Sequence, residues 1–205
     1  MPTPIDNPDL HGNAPDNAPL ALVLIDVIND LEFPGGDELL GAALPLAHRL
    51  RELRRRARAH GIPTIFANDN FGRWRSDFNA LVDHCTADEV RGCEISRLVQ
   101  PDEDDYFILK PKHSAFYETP LDLLLRYLGT RTLILAGLTG DRCVLFTAGD
   151  AFLRDYRLVV PSDGCASIEP DDNDQAIDQI QRLMRADTTP IDDLDLDALR
   201  QTACS

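Results

Sequence analysis

The chain has 205 residues, of which 43% are hydrophobic, and its formal net charge at pH 7 is −15. This length is enough for one sizeable hydrophobic core, so a single domain is the simplest prediction. The strong negative charge argues against nucleic acid and against an anionic membrane surface as partners. No apolar run reaches the ~18 residues of a membrane span, and no signal-peptide pattern begins the chain, so we predict a cytoplasmic protein.

The five cysteines are odd in number and irregularly spaced, at Cys85, Cys93, Cys143, Cys165 and Cys204. Such spacing favours neither a disulfide framework nor a zinc cluster. We predict that Cys85, Cys93 and Cys165 are packing residues and that Cys204 is exposed.

The chain begins with a polar segment. Residues 1–19 are rich in Pro, Asp and Asn without periodicity, which predicts a flexible tail or an arm, followed by a single domain over residues 20–205. The apolar, β-branched run over residues 22–28 predicts a strand buried on both faces of a parallel sheet, with Asp26 at its end. In the loop after it, Phe33 either lines a pocket or covers the top of the sheet.

Apolar residues at spacings of three and four predict a helix over residues 37–60, and residues 63–67 form the second predicted strand. The polar loop that follows contains Phe71, Arg73, Trp74 and Arg75. Aromatic and cationic side chains at the carboxyl edge of a parallel sheet suit the wall of a substrate pocket. Packing of Trp74 against a neighbouring subunit is an equal alternative.

The rest of the chain alternates between predicted helices and strands. Short helices are expected within residues 78–104, strand three ends at Lys110, and Thr119 is expected to cap the next helix. The remaining predicted elements are strand four from residue 133, a helix at Cys143, strand five over 157–161, a helix over 170–186 with Ile177, Ile180, Leu183 and Met184 inward, a short edge strand over 186–190, and a final helix over 191–199. This order predicts an α/β fold with a six-stranded, mostly parallel sheet between helix layers.

Three residues with reactive side chains follow predicted strands. Cys143 lies where a helix begins after a strand and a glycine-bearing turn, and the first turn of a helix attracts negative charge. The Cys143 thiol is therefore expected to ionise more readily than a free cysteine, although a buried structural cysteine is the alternative. Asp26 and Lys110 each end a strand, so all three are expected at the carboxyl edge of the sheet, where open α/β folds keep their active sites.

Three separated motifs carry a resemblance to a known family. They are Ile25-Asp26, the segment from Lys110 to Phe116 with Thr119, and the segment from Gly137 to Val144. With these motifs the chain resembles the isochorismatase-like cysteine hydrolases, the superfamily of nicotinamidases and N-carbamoylsarcosine amidohydrolases, over about residues 20–163. The resemblance implies a three-layer α/β/α fold with strand order 3-2-1-4-5-6.

The resemblance also implies a catalytic triad. Cys143 would be the nucleophile, Asp26 the general base and then acid, and Lys110 a cation that keeps Asp26 ionised and stabilises a thiolate. The backbone N–H groups of Thr139 and Cys143 would form the oxyanion hole, after a cis peptide bond between Leu138 and Thr139. Gly140 stands where the family often has threonine, so the detail of the oxyanion turn stays open.

The predicted activity is cysteine-dependent hydrolysis of a small carboxamide or related C–N bond through a thioester. One alternative is an isochorismatase-type reaction, which Cys143 disfavours. Another is a nicotinamidase, an enzyme whose bound metal usually sits on an Asp-x-His pair and a further His after strand two. Here that region offers Asp69, Asp77 and His84 without the Asp-x-His spacing, and His48 and His113 are isolated. A third alternative, from another class, is a non-catalytic oligomeric binding protein.

No cofactor and no metal are therefore predicted. The expected partners are a small-molecule amide and further copies of the chain, in a homo-oligomer that is a dimer or a tetramer. A dinucleotide-binding protein is disfavoured, because no Gly-x-Gly-x-x-Gly follows strand one.

Overall fold

A computed structural model describes residues 17–72 and 77–204 of the chain. The strands are β1 Leu20–Ile25, β2 Thr64–Asp69, β3 Tyr106–Lys110, β4 Thr132–Leu138, β5 Arg157–Val159 and β6 Cys165–Ala166. The helices are α1 Gly36–Ala59, α2 Phe78–Cys85, α3 Cys93–Leu98, α4 Leu121–Tyr127, α5 Leu145–Phe152, α6 Pro170–Met184 and α7 Leu196–Ala203. A π-helical turn, Gly140–Val144, precedes α5, and a 3₁₀ turn, Ile191–Asp193, precedes α7.

The six strands form one parallel sheet in the order β3-β2-β1-β4-β5, with β6 paired to β4 beyond the end of β5. Alternate residues of β1 point to opposite faces, as a pleated strand requires. Leu20, Leu22 and Leu24 enter an apolar layer shared with α1, α3 and α7. Ala21, Val23 and Ile25 enter the other, shared with α4, α5 and α6. The predicted α/β fold class is confirmed.

The sixth strand differs from the prediction. The structure places it at Cys165–Ala166, whereas the predicted edge segment 186–190 contributes a single bridge between Val159 and Asp187. The Asp187 N–H donates to the Leu158 carbonyl at 2.9 Å, so the segment does lie beside β5. The pairing is short because the N–H two residues further along the segment, that of Thr189, donates to the Asp187 side chain at 2.9 Å and not to β5.

The end of the chain also differs from the prediction. A single helix over residues 191–199 is wrong, because the 3₁₀ turn Ile191–Asp193 is followed by α7, which begins at Leu196. The Asp195 side chain accepts the Ala198 N–H at 2.9 Å, so a new N-cap starts the helix there.

Two smaller sets of side-chain predictions have mixed outcomes. On α6, Ile177 and Ile180 are buried and Met184 packs against the same layer, but Leu183 is 63% exposed because it turns away from the buried stripe in the last turn. Cys85 and Cys165 are buried, Cys93 is partly buried and Cys204 is exposed, as expected.

Residues 1–16 of the predicted tail lie outside the described residues. The last part of that segment is bonded to the domain, because the Ala18 N–H donates to the Leu128 carbonyl at 2.7 Å and the Pro19 carbonyl accepts the Thr132 N–H at 3.0 Å. Over residues 17–72 and 77–204, no helix combines the length and apolar character needed to cross a bilayer.

Candidate active site

Asp26 follows the last residue of β1 and is almost fully buried. Its φ of 51° lies in the left-handed region, which a residue with a side chain rarely adopts and which is common at functional sites. Its N–H donates to the Ala67 carbonyl at 2.9 Å, and its Oδ1 accepts the Asp69 N–H at 2.7 Å. These two bonds to β2 fix the direction of the Asp26 carboxylate.

Lys110 is the last residue of β3, and its side chain has no exposed surface. A surface lysine at this position is therefore ruled out. Lys110 Nζ lies 2.8 Å from Asp26 Oδ2 and 3.8 Å from Asp69 Oδ2, and it donates to the Lys112 carbonyl at 3.2 Å. The long lysine stem spans β2 and brings the ammonium to the carboxylate at the end of β1.

Cys143 lies on the π-helical turn after β4 and is buried to 9% exposure. Its Sγ lies 3.5 Å from Lys110 Nζ, and its thiol also forms a side-chain hydrogen bond with Asp26. The structure thus brings together the three residues that the sequence singled out, although they are far apart along the chain. The site is a buried carboxylate, ammonium and thiol in mutual contact.

The pKa of the Cys143 thiol differs from the prediction made from the helix start. Burial, and after it the Asp26 charge, raise this pKa to about 12, even though Lys110 acts in the opposite direction. The prediction that this thiol ionises more readily than a free cysteine is therefore wrong for the resting site. The reason is that desolvation and a neighbouring anion disfavour the thiolate more than the helix start favours it.

Asp26 and Lys110 form the charged pair of the resting site. Burial raises the pKa of the Asp26 carboxyl above its usual value, although Lys110 acts in the opposite direction. Burial lowers the pKa of the Lys110 ammonium, but its neighbours, chiefly the Asp26 carboxylate, outweigh this effect and raise it. The 2.8 Å contact of Lys110 Nζ with Asp26 Oδ2 defines an ion pair, and the raised pKa of Cys143 keeps the thiol beside it neutral.

A stability measurement tests this ion pair. Lys110→Met is expected to lower the free energy of unfolding by about 3–5 kcal/mol, because it leaves the Asp26 carboxylate buried without a partner. Adding Asp26→Asn should recover most of the loss, since no buried charge then remains unpaired. Urea unfolding at pH 7 measures both. Arg55→Met, which removes the exposed Arg55–Glu52 pair, is the control and should change nothing measurable. A double variant as unstable as Lys110→Met would contradict the prediction.

The end of β4 shapes the turn that carries Cys143. The Leu138–Thr139 peptide bond is cis, as the resemblance implied. Gly137, two residues before Thr139, has φ 134°, and a Cβ there would lie 2.1 Å from the Ile25 carbonyl oxygen of β1. Only glycine allows β4 to approach β1 this closely.

Beyond the cis bond, the chain folds back on Thr139. The Thr139 carbonyl accepts the N–H groups of Arg142 and Val144 at 3.2 and 3.1 Å. The Thr139 side chain hydrogen-bonds to the Asp141 carboxylate, and Ser167 does so as well. Partial burial raises the pKa of Asp141, but these hydrogen bonds outweigh it and hold that pKa below its usual value. The Thr139 hydroxyl therefore braces the turn.

Gly140 occupies the place where the resemblance led us to expect threonine. A Cβ at Gly140 would lie 2.1 Å from Asn173 Oδ1 and 3.3 Å from Cys165 Cβ. The Asn173 amide, which comes from α6, takes up the space that a side chain at position 140 would need. The departure from the family pattern therefore has a steric cause in this chain.

The predicted substrate wall is described only in part. Arg73, Trp74 and Arg75 lie outside the described residues. Phe71 is 42% exposed and lines a cavity of about 200 Å³ together with Asp30, Asp69, Asn70, Ala80, Leu81, His84 and Leu109. Phe33 lines another cavity, of about 260 Å³, together with Pro34, Thr139, Asp141, Arg142, Ile168, Glu169 and Asp172. Phe33 and Phe71 thus border two different hollows.

The residues after β2 do not fit the metal site of a nicotinamidase. Asp77 caps α2 by accepting the Ala80 N–H at 2.8 Å, and His84 Nε2 contacts Asp30 Oδ2 at 3.0 Å. Asp69 contacts Lys110, while Phe71, two residues further, has no donor atom for a metal. Within the described part of the chain, no cluster of three or more His, Cys, Asp or Glu side chains is suited to hold a metal ion. Independence from metal stays a prediction.

Sequence reasoning missed one residue that touches the reactive sulfur. His113 Nδ1 lies 3.6 Å from Cys143 Sγ, and its ring packs against Phe146 with the centroids 5.6 Å apart. His113 is exposed, so it lies at the solvent side of the thiol. In the sequence, His113 is an isolated histidine without ligand spacing. The signal for it was its position three residues after a strand-end lysine.

With this geometry in view, comparisons with known proteins define the family. The isochorismatase domain model matches residues 20–192. An uncharacterized isochorismatase family protein, YaaI of Bacillus subtilis, is 38% identical over 82% of this chain and 92% of its own length. The chain therefore belongs to the isochorismatase family.

Two further relatives have names that state an activity. The ureidoacrylate amidohydrolase RutB of Yersinia enterocolitica is 29% identical over 74% of this chain and 76% of its own length. The crystal structure of N-carbamoylsarcosine amidase from Thermoplasma acidophilum has a TM-score of 0.61 and 28% identity, and it covers 86% of this chain and 98% of its own. This family and these relatives identify the chain as an enzyme of the hydrolase class.

Proposed function

We propose that this protein is a cysteine hydrolase that cleaves the C–N bond of a small carboxamide or related compound through a thioester on Cys143. The single observation that carries this proposal is the contact of a buried Cys143 thiol with an Asp26–Lys110 ion pair, in which Lys110 Nζ lies 2.8 Å from Asp26 Oδ2 and 3.5 Å from Cys143 Sγ. A nucleophile beside a base, with the base oriented by a third group, is the usual arrangement of an activated nucleophile.

In the acylation step, the Cys143 sulfur attacks the carbonyl carbon of the amide while Asp26 takes the thiol proton. The C–S bond forms, and the negative charge on the carbonyl oxygen is stabilised by the N–H groups of Thr139 and Cys143. The C–N bond then breaks, and Asp26 gives its proton to the leaving nitrogen. Because the resting thiol is neutral, proton transfer accompanies the attack and does not precede it.

In the deacylation step, Asp26 takes a proton from water as the water oxygen attacks the thioester carbon. The C–S bond breaks, the acid leaves, and the proton on Asp26 returns to the Cys143 sulfur. Amide and water have then become acid and amine, with the enzyme unchanged. Asp26 must be ionised at the start of both steps, so activity should be lost as the pH falls through its raised pKa.

Lys110 supports both steps without transferring a proton. Its ammonium keeps Asp26 ionised despite burial, since an opposite charge within a few ångströms favours the charged form. It also lies 3.5 Å from the sulfur, where it can offset the negative charge that develops there. Asp69, 3.8 Å from Lys110 Nζ, gives the ammonium a second counter-ion.

The relatives support a C–N bond as the target. The names of the Yersinia and Thermoplasma relatives both state hydrolysis of a carbamoyl- or ureido-type amide. For this chain, we propose a small carboxamide, carbamate or ureide with an acidic or polar tail, held by Phe71 and the segment that contains Arg73, Trp74 and Arg75, while Phe33 borders a separate hollow. Isochorismatase-type cleavage of a vinyl ether is the runner-up, and it would not need a thiol.

A screen for ammonia release tests the proposal directly. The purified protein and Cys143→Ala are incubated with a panel of small carboxamides, carbamates and ureides, and ammonia is measured over time. We expect the wild type to hydrolyse at least one compound and Cys143→Ala to hydrolyse none. Binding of panel compounds without any release of ammonia would favour the non-catalytic alternative.

Dependence on metal separates this proposal from a nicotinamidase. We expect full activity after exhaustive chelation and poor turnover of nicotinamide beside a better, non-pyridine amide, because the residues after β2 do not form a set of three or four metal ligands in the described part of the chain. Elemental analysis and the same ammonia assay are the measurements. Stoichiometric zinc or iron in the purified protein, with activity that disappears on its removal, would restore the nicotinamidase alternative. The cytoplasmic location and the dimeric or tetrameric state also remain predictions.

A further inference from the structure

Two buried polar side chains hold the turn that carries Cys143 in place. One directly follows β6 and the other lies on α6. We propose that Ser167 and Asn173 are positioning residues that fix the turn Gly140–Val144, and with it the two N–H groups of the oxyanion hole. The inference rests on the proposed function, because it concerns where those N–H groups point during hydrolysis. Their contacts reach the Asp141 N–H and each other, so both would act through the backbone of the turn.

Ser167 bonds the turn directly. Its hydroxyl accepts the Asp141 N–H at 3.1 Å, and the same side chain hydrogen-bonds to the Asp141 carboxylate. Ser167 is 2% exposed, so water does not compete for these bonds. The Asp141 peptide, two residues before Cys143, is therefore fixed from outside the turn.

Asn173 packs beside Ser167 and fills the space beside Gly140. Its Oδ1 lies 3.5 Å from Ser167 Oγ, and its side chain is buried in the second turn of α6. A Cβ at Gly140 would lie 2.1 Å from Asn173 Oδ1 and 3.2 Å from Asn173 Cγ. The Asn173 amide thus occupies the space that a side chain at position 140 would fill, and glycine at that position leaves the space free.

The consequence for catalysis is that the oxyanion donors keep their exact positions. Oxyanion donors must lie within ~0.5 Å of their productive positions, and a misplacement of ~1 Å can cost ~10² in rate. Loss of the brace would let the turn shift while leaving Asp26 and Lys110, which belong to other strands, in contact with each other. Hydrolysis would suffer, but the chemistry of the thiol itself would not.

Asn173→Ala tests the inference, with two readouts on the full-length protein. The kcat for hydrolysis is expected to fall about 10- to 100-fold with KM within about twofold of the wild type, because donors aimed at the transition state are displaced. Alkylation of Cys143 by iodoacetamide is expected to stay within about twofold, because that displacement at carbon forms no oxyanion. A merely structural defect would change both reactions, because it would also alter the burial that shields the Cys143 thiol and raises its pKa.

A double substitution makes the test independent of how well one variant folds. Gly140→Ala is expected to lower kcat more than Asn173→Ala does, because the new Cβ both displaces the Asn173 amide and crowds the turn. Gly140→Ala combined with Asn173→Ala should recover activity to the level of Asn173→Ala, since the crowding is relieved while the Asn173 contact stays lost. Gly149→Ala is the matched control on α5, where a new Cβ meets only Met184 Cε at 3.7 Å, and it should behave as the wild type.

The outcomes separate the two proposals. Unchanged kcat in both Asn173→Ala and Gly140→Ala, in an enzyme that needs Cys143, would overturn the positioning role and leave the proposed function intact. An equal loss of alkylation and hydrolysis in Asn173→Ala would overturn the positioning role as well. Wild-type hydrolysis that survives Cys143→Ala would overturn the proposed function, and this inference with it.

Discussion

Cys143→Ala is expected to abolish hydrolysis while leaving the fold intact, because the nucleophile and the carrier of the acyl group are lost together. Cys143→Ser should be almost as inactive. The buried pocket already raises the pKa of the thiol to about 12, and a serine hydroxyl is a far weaker acid than a thiol, so Asp26 is a poor base for it. Initial rates of ammonia release at substrate saturation, beside circular dichroism of each variant, give the comparison.

Cys204→Ser is the matched control, because it makes the same change at an exposed cysteine and should retain full activity. Covalent catalysis by the thiol would be wrong if Cys143→Ser kept more than about a tenth of the wild-type rate, a difference of only ~1.4 kcal/mol in the barrier.

Asp26→Asn and Lys110→Met are expected to fail in opposite ways. Asp26→Asn removes the proton carrier, so hydrolysis should fall by ~10²–10⁴. It also removes the negative charge that raises the pKa of the Cys143 thiol while Lys110 stays in place, so alkylation should begin at a lower pH than in the wild type. Lys110→Met removes a neighbour whose positive charge lowers that pKa, so alkylation near neutral pH should slow.

The measurement is the rate of iodoacetamide labelling of Cys143 across pH 5–10, read by mass spectrometry of the labelled peptide. Exposed Cys204 provides an internal standard in every sample, since its labelling should not respond to either substitution. Superimposable pH profiles for the two variants would refute the division of roles between the carboxylate and the ammonium.

Much of the site could be predicted because parallel strands fix where their ends lie. Asp26 and Lys110 end β1 and β3, and Cys143 follows β4, so the direction of the strands alone brings them to one edge of the sheet. The local patterns around them were strong, with continuous apolar runs before each one. Their contact also depends on the strand order, which places β1 beside β4 and which the family resemblance implied, because periodicity cannot give it.

The remaining features depend on contacts that periodicity does not reveal. The raised pKa of Cys143 follows from burial and from the Asp26 charge, whereas the sequence showed only the nearby helix start. The role of Asn173 depends on its distance from Gly140, 33 positions earlier, and nothing in the α6 pattern marks it. The strand at Cys165–Ala166 was missed because two residues are too few for an alternating pattern.

The close approach of Gly137 to Ile25 has a consequence for how this sequence can vary. Ile25 directly precedes Asp26, and Gly137 leads through Leu138 and Thr139 into the turn of Cys143, so one glycine sets the gap between two reacting groups without touching either. Any side chain there would meet the Ile25 carbonyl at 2.1 Å and wedge the two strands apart. The absence of a side chain at Gly137 thus sets the distance between β1 and β4 beside the candidate site. In a library of variants, its substitutions should rank with those of Asp26 among the most damaging, while the exposed Gly41, with no atom within 4 Å of a new Cβ, should accept alanine freely.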